Sequence, residues 1–279
     1  MTRRVAITGC PVAHSRSPVI HRHWLALHGI DGTYDRVEVK PEDAPAFYRD
    51  IAAHGLSGCN VTVPNKEAAA AACDELDDAA RVMGAVNTIS LDADGRVLGS
   101  NTDGLGFLGN LDQEVPGWDG EVRHAVVLGA GGAARAVIWA LLSRGVKKVS
   151  VVNRTKSKAE DLCARFGADS IACDWDDLGE ILGETDLLVN TTSLGMAGQP
   201  ALDLSLSRLP ETAIVNDIVY VPLETPLLAD ARARGLRAVD GLGMLLHQAV
   251  PGFERWFGVR PRVTDELRAA LLADLGAAS

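Results

Sequence analysis

The chain lacks the features that would place it in several large functional classes. Its five cysteines, Cys10, Cys59, Cys73, Cys163 and Cys173, include no C-x-x-C pair and no zinc-ligand spacing. Reduced, mostly buried thiols are therefore expected, as in the cytosol. There is no H-E-x-x-H, and His14, His21, His23 and His28 fall at spacings that build no convergent site, so no metal is expected. No G-x-S-x-G elbow accompanies the serines. A basic excess is missing as well: the formal net charge is −10, which argues against a broad nucleic-acid surface. Long apolar runs are also absent. The run at 5–10 is too short for a secretory signal, and Arg135 and several glycines interrupt the longest apolar region. Neither export nor a membrane span is expected, and the cytoplasm is the expected location.

What is present is a soluble-type composition, 47% hydrophobic and 23% charged over 279 residues, enough for one large domain or two modest ones. The central stretch reads AVVLGAGGAARAVIWALLSRGVKKVSVVNRTKSK from Ala125 to Lys158. A strand at 125–128, a glycine turn, a helix at 133–143 and a second strand at 149–152 follow at βαβ spacing. Gly129, Gly131 and Ala134 occupy the small positions of a G-x-G-x-x-G/A fingerprint, where a tight turn lets backbone approach a pyrophosphate at a helix N-terminus. The intervening Ala130, Gly132 and Ala133 belong to the same cradle. At the end of the second strand an NAD site would carry a carboxylate for the ribose 2′-hydroxyl; this chain has Asn153, Arg154 and Thr155, then Lys156 and Lys158. Thr155 is expected to cap the next helix, leaving both lysines in its first turn, where a bound 2′-phosphate would offset their charge. NADP(H) is the expected cofactor, with Arg154 as the main contact and Lys158 as the second cation.

The first hundred residues carry their own signals. Strands are expected at 5–8, 34–39 and 59–63, an antiparallel pair at 85–90 and 96–99 around Asp94-Gly95, and helices at 17–28, 43–54 and 66–72. Ser17 followed by Pro18 reads as an N-cap and first turn. A helix at 104–114 leads into the nucleotide unit, where strands at 186–190, 213–217 and 237–240 complete the sheet; helices at 242–257 and 264–275 end the chain. The fold class is α/β in two domains. Residues 1–103 and 241–279 form a substrate domain from both chain ends, and 104–240 a central Rossmann-type nucleotide domain, with a cleft expected between them.

Lys66 is the leading proton-transfer candidate, because it opens a helix whose dipole disfavours the ammonium form. Asp103 could orient it or serve as an Asx turn before Gly104. Asn87 and Asn101 could meet substrate or act as buried hydrogen-bond hubs. Ser15 and Ser17 could bind a carboxylate. Tyr220 and Gln248 are polar handles beside apolar segments, and the segment 191–196, starting at Thr191, directly follows a strand end, where open α/β sheets hold ligands.

Taken together, HSRSP at 14–18, NVTVPNK at 60–66, AVNT at 85–88, NTDG at 101–104, GAGGAAR at 129–135, NRT at 153–155 and DGLGML at 240–245 resemble the shikimate dehydrogenase family, in the family's order and over nearly the whole chain. The resemblance implies NADP-dependent reversible reduction of 3-dehydroshikimate to shikimate on the route to chorismate and aromatic amino acids. It implies Lys66 as catalytic residue and Asp103 as its partner, Ser15 and Ser17 on the substrate carboxylate, and Thr62, Asn87, Asp103 and Gln248 around the ring hydroxyls. Tyr220 falls on the substrate side. Asn153, Arg154, Thr155 and Lys158 match the adenosine-phosphate region, and Thr191, Gly241 and Met244 join the cofactor site. Two positions depart from the family pattern: Ala134, where serine is frequent, and Asn65, where a larger residue such as phenylalanine is frequent. Family members are monomers or homodimers. A quinate/shikimate dehydrogenase with broader substrate or NAD use, and a catalytically idle NADP-binding regulator, are the two other readings.

Overall fold

The computed structural model describes residues 2–277; residues 1, 278 and 279, which the first expected domain includes, lie outside the described residues. Two compact units divide the chain. One takes the chain up to Thr102 and again from Leu246, and the other is Asp103–Leu245. The dividing points are thus 102/103 and 245/246, where the sequence places them at 103/104 and 240/241.

The first unit runs β1 (Arg3–Gly9), α1 (Ser17–Leu27), β2 (Gly32–Glu38), α2 (Ala44–Arg49), β3 (Gly58–Val61), α3 (Lys66–Ala72), β4 (Glu75–Leu76), α4 (Asp78–Met83), β5 (Thr88–Leu91) and β6 (Val97–Ser100). Its sheet has the order β2-β1-β3-β5-β6-β4, with β1 parallel to β2 and β3, and β5 antiparallel to β3 and β6. Helix α2 stops at Arg49, short of the expected 54, because Asp50 leaves helical geometry at φ −138°, ψ 58° and its carboxylate accepts the Ala53 N–H at 3.1 Å. That local bond offers the backbone an alternative to the helix. The sequence reading assigns nothing to β4 and α4, although Asp77 caps α4 by accepting from Ala80 N at 2.8 Å and Gly84 ends it at φ +62°.

The second unit holds α5 (Asp103–Glu114), α6 (Trp118–Glu121), β7 (His124–Leu128), α7 (Gly132–Ser143), β8 (Lys148–Val152), α8 (Lys156–Cys163), β9 (Ser170–Cys173), α9 (Leu178–Ile181), β10 (Leu187–Asn190), β11 (Ile214–Asp217), α10 (Pro226–Ala233) and β12 (Arg237–Val239). Every strand pairing is parallel and the order is β12-β11-β10-β7-β8-β9. Counted within this unit the order is 3-2-1-4-5-6, the doubly wound dinucleotide arrangement, whose switch point lies between β7 and β10. Both faces are covered, and on the central strand β7 the apolar residues alternate between two cores: Ala125 and Val127 pack into one, Val126 and Leu128 into the other.

The expected helix 242–257 is two helices, α11 (Leu242–His247) and α12 (Ala249–Phe257), followed by α13 (Asp265–Ala277). Pro251, in the first turn of α12, has no N–H to give the His247 carbonyl, and its ring crowds that position. The helix restarts at Gln248 instead. All five cysteines are free, and burial pushes Cys59 and Cys73 up to about 12. Among the described residues no helix is long and apolar enough to cross a membrane, and no group of three or more His, Cys, Asp or Glu could hold a metal ion.

One buried group in the first unit makes stability pH-dependent. His21 is fully buried, stacked on Tyr34 at 4.0 Å, with Trp24, Phe253 and Trp256 around it. Neither ring nitrogen has a hydrogen-bond partner among the described residues, and burial lowers its pKa from 6.5 to about 3, with the Asn60 side chain opposing. The unfolded chain therefore binds a proton below 6.5 that the fold refuses, so stability present above that pH is lost as pH falls towards 3. Going from pH 6.5 to pH 5 is expected to cost about 2 kcal/mol at this residue. Urea denaturation at the two pH values, on the wild type and on His21→Phe, checks this. The phenylalanine variant should have the flatter profile, and an equal slope in both would remove His21 as the cause.

Candidate active site

In the first unit the expected site residues gather around the ends of β1, β3 and β5. Ser15 and Ser17 bring their hydroxyls to 3.4 Å, and Arg36 holds the loop by donating from Nε and Nη2 to the Ser15 carbonyl at 3.1 and 2.6 Å. Ser17 is not the cap it was expected to be. The N-cap position is Arg16, Ser17 is already helical, and its N–H reaches Ser15 Oγ at 3.4 Å. Its hydroxyl is thereby left facing Ser15.

Thr62 follows β3, its N–H bonded to the Thr8 carbonyl at 2.8 Å, and Gly9 has no room for a Cβ, which would stand 2.5 Å from Thr62 Cγ2. Lys66 opens α3, as expected, after a cis Val63–Pro64 bond. The departure at Asn65 has a structural role. This side chain is 1% exposed and donates to the Val39 carbonyl at 2.7 Å and to Tyr48 Oη at 3.4 Å, while Tyr48 Oη meets Thr8 Oγ1 at 3.0 Å. Hydrogen bonds thus hold the residue before Lys66.

Asn87 is a hub. Its Oδ1 accepts from Thr102 N and Thr88 Oγ1 at 2.9 Å each, and its Nδ2 donates to Thr102 Oγ1 at 3.0 Å. Thr102 Oγ1 also reaches the Gln248 carbonyl at 2.8 Å, so this one fully buried hydroxyl ties Asn87 to the returning C-terminal segment. Sequence reasoning missed Thr102, although it lies inside NTDG. Asn101 bonds the Ala85 carbonyl at 2.9 Å and serves the same strand-end structure.

In the second unit the glycine turn sits at the switch point. Gly129 has φ +106°, and a Cβ there would stand 2.8 Å from Thr191 Oγ1, so conformation and contact both demand glycine. Cβ atoms on Gly131 and Gly132 would meet nothing within 4 Å, and both residues are exposed. The protein does not require their smallness; a group approaching the first N–H groups of α7 would. Ala134 is fully buried at the helix–sheet contact. These features fit a dinucleotide pyrophosphate.

Beside the turn, a cavity of about 520 Å³ is lined by Gly129, Asn153, Arg154, Trp175, Thr192 and Ser193 among others. Arg154 and Lys158 are exposed and form no ion pair among the described residues, whereas Lys156 is bound to Asp174 at 2.6 Å, and α8 has no acid in its first turn. Thr155 holds the N-cap position of α8 but its side chain makes no capping bond, contrary to expectation; Asn153 Nδ2 donates to the Thr155 carbonyl at 2.8 Å instead. Thr192 and Ser193 belong to the segment after a strand end where the sequence places a ligand, whereas Trp175 carries no signal of its own in the sequence.

A second cavity, about 380 Å³, brings Tyr220 and Thr191 into one lining with Met196 and Ile218. Thr191 spends both its N–H and its hydroxyl on the Leu128 carbonyl, at 2.9 and 2.6 Å. Gly241 lies so close to the backbone of Ile218 that no Cβ fits, and Met244 packs against the core of this unit. A buried knot fixes the two loops of this cavity. Asp217 accepts from Asn190 Nδ2 at 2.9 Å, Thr225 Oγ1 at 2.7 Å and Val219 N at 3.1 Å, while Asn190 Oδ1 accepts from Thr192 N and Oγ1. Burial raises the Asp217 pKa, and these three bonds oppose the rise.

Three family models match in succession: the shikimate dehydrogenase substrate binding domain over residues 7–89, shikimate/quinate 5-dehydrogenase over 113–197 and the shikimate 5′-dehydrogenase C-terminal domain over 241–272. A shikimate dehydrogenase (NADP(+)) of Azorhizobium caulinodans is 56% identical over 275 residues, covering 99% of this chain and 98% of the relative. The chain belongs to the shikimate dehydrogenase family. Among solved structures it is similar to shikimate 5-dehydrogenase of Thermus thermophilus in complex with NADP(H) and shikimate, at 37% identity and TM-score 0.84 over 98% of this chain and 99% of that one. It is also similar to quinate dehydrogenase of Corynebacterium glutamicum in complex with NAD, at 31% identity and TM-score 0.89 over 98% and 99%.

Proposed function

We propose that this chain catalyses the NADP-dependent, reversible reduction of 3-dehydroshikimate to shikimate, within the route to chorismate and aromatic amino acids. The observation that carries this reading is the 56% identity, over nearly the full length of both chains, to a relative named for shikimate and NADP(+). The exposed Arg154 beside the cavity, with no carboxylate at the end of β8, supports NADP over NAD.

The unit made from both chain ends is assigned the substrate, and the central unit the cofactor. Ser15 and Ser17 bind the substrate carboxylate through their facing hydroxyls. Thr62, Asn87 and Gln248 take ring hydroxyls, and Tyr220 contributes from the substrate side. Gly129 to Ala134 hold the pyrophosphate; Asn153, Arg154, Thr155 and Lys158 hold the adenosine 2′-phosphate; Thr191, Gly241 and Met244 shape the rest of the cofactor site. When NADP(H) is bound, its nicotinamide supplies the hydride chemistry. Lys66 Nζ delivers a proton to the C3 oxygen in reduction and takes it back from the C3 hydroxyl in oxidation, with Asp103 orienting the ammonium.

Steady-state oxidation of shikimate and quinate with NADP and with NAD tests the assignment. The shikimate–NADP pair is expected to give the highest kcat/KM, with NADP favoured over NAD by about 10- to 100-fold, the value of a charge-assisted phosphate contact. Comparable quinate turnover or an NAD preference would support the broader enzyme that the likeness to quinate dehydrogenase suggests. NADP binding without turnover of any pair would replace the enzyme reading with the idle regulator.

A further inference from the structure

Five tryptophans occur in the chain. Trp24, Trp118 and Trp256 are buried and Trp139 packs against the core of the second unit, but Trp175 is 37% exposed. A lone exposed apolar side chain needs no explanation. Trp175 differs in what it faces, because it shares the wall of the 520 Å³ cavity with Gly129, Asn153 and Arg154. The topology puts it there: β9 runs parallel to β8, so the segment leaving β9 emerges at the same sheet edge as Asn153 and Arg154. The segment is also fastened in place. Asp174, the residue before it, pairs with Lys156 in the first turn of α8 at 2.6 Å, and Leu178 N donates to the Trp175 carbonyl at 3.2 Å on entry to α9. An indole is thereby presented, with its backbone held, beside the cation assigned to the 2′-phosphate.

We propose that Trp175 is the stacking platform for the adenine base of the bound dinucleotide. The proposal rests on the NADP reading above and adds to it the residue that receives the base. In a dinucleotide fold the adenosine lies at the end of the second strand of the unit, here β8, and its 2′-phosphate beside Arg154. A purine so placed has two π-faces that no phosphate contact covers, and an aromatic ring is the side chain that covers one without demanding a hydrogen-bond pattern. Asp174 serves this arrangement by occupying Lys156, which leaves Arg154 and Lys158 for the phosphate.

The test uses the full chain and three ligands: NADPH, adenosine 2′,5′-bisphosphate and nicotinamide mononucleotide. In the wild type the first two are expected to quench tryptophan emission and the mononucleotide to leave it unchanged. Trp175→Ala is expected to weaken adenosine 2′,5′-bisphosphate and NADPH alike, by about 10- to 100-fold in Kd, the usual worth of one base stack. Trp175→Phe, which keeps a ring, should stay within a few-fold of wild type. In turnover the loss should fall on the KM for NADP and not on kcat, as for an interaction present equally in ground and transition states. A Trp175→Ala protein that binds the bisphosphate as tightly as wild type overturns the stacking role and leaves the NADP reading intact. A wild type that binds neither NADPH nor the bisphosphate overturns both.

Discussion

Replacing Lys66 by alanine is expected to lower kcat for shikimate oxidation by about 10²- to 10⁴-fold, the usual contribution of a positioned acid–base group. NADP affinity, read from quenching of tryptophan emission, should stay near wild type, because the residues assigned to the cofactor lie in the other unit. The expectation rests on how firmly Lys66 is placed. It is the first residue of α3, and its neighbour Asn65 is 1% exposed and anchored to the Val39 carbonyl at 2.7 Å. That anchored backbone fixes where the lysine side chain begins, so its removal is expected to be felt in the chemical step and not in the cofactor site. If Lys66→Ala instead weakened NADP binding and left turnover of the bound complex unchanged, the proton-transfer role would fall and a cofactor-side role would replace it.

The parts of this structure that the sequence discloses are those set by local backbone needs. Gly129 is legible because a residue at φ +106° pressed against Thr191 has one good solution, and Ala134 because a helix packed on a sheet needs a small residue. The buried parallel strand β7 is legible because both of its faces are apolar. Caps are less so. Ser17 and Thr155 have the right identity for a cap, but a serine two residues earlier and an asparagine two residues earlier make the local bonds instead. Least legible are polar side chains whose partners are distant in sequence. Asn190 and Asp217 are 27 residues apart, and Thr102 and Gln248 are 146 apart; only the fold reveals that each pair is a knot holding strand ends or loops. Trp175 belongs with them. Nothing in the stretch around it marks a ligand until β9 is placed beside β8.

Removing the two cations assigned to the phosphate, as Arg154→Ala with Lys158→Ala, is expected to raise the KM for NADP by about 10²-fold. Each charge-assisted contact to phosphate is worth about 1.5–3 kcal/mol at best. Both side chains are exposed, so screening by salt brings the pair to the lower end of the sum. NAD carries no 2′-phosphate, and its kcat/KM should change no more than a few-fold. The double variant thus approaches NADP–NAD parity. Two controls separate phosphate reading from a general charge effect. Lys156→Ala should cost much less, since Lys156 is already bound to Asp174 at 2.6 Å and that pair raises its pKa. The wild-type KM for NADP should rise with ionic strength, and the double variant should show a shallower rise. If NAD and NADP lost efficiency in parallel, the two residues would be supporting the fold of α8, and the preference for NADP would have to come from the glycine turn or the walls of the cavity. Should Lys156→Ala match the double variant, the Asp174 pair would have to open on binding. Lys156 would then join Arg154 and Lys158 in reading the phosphate.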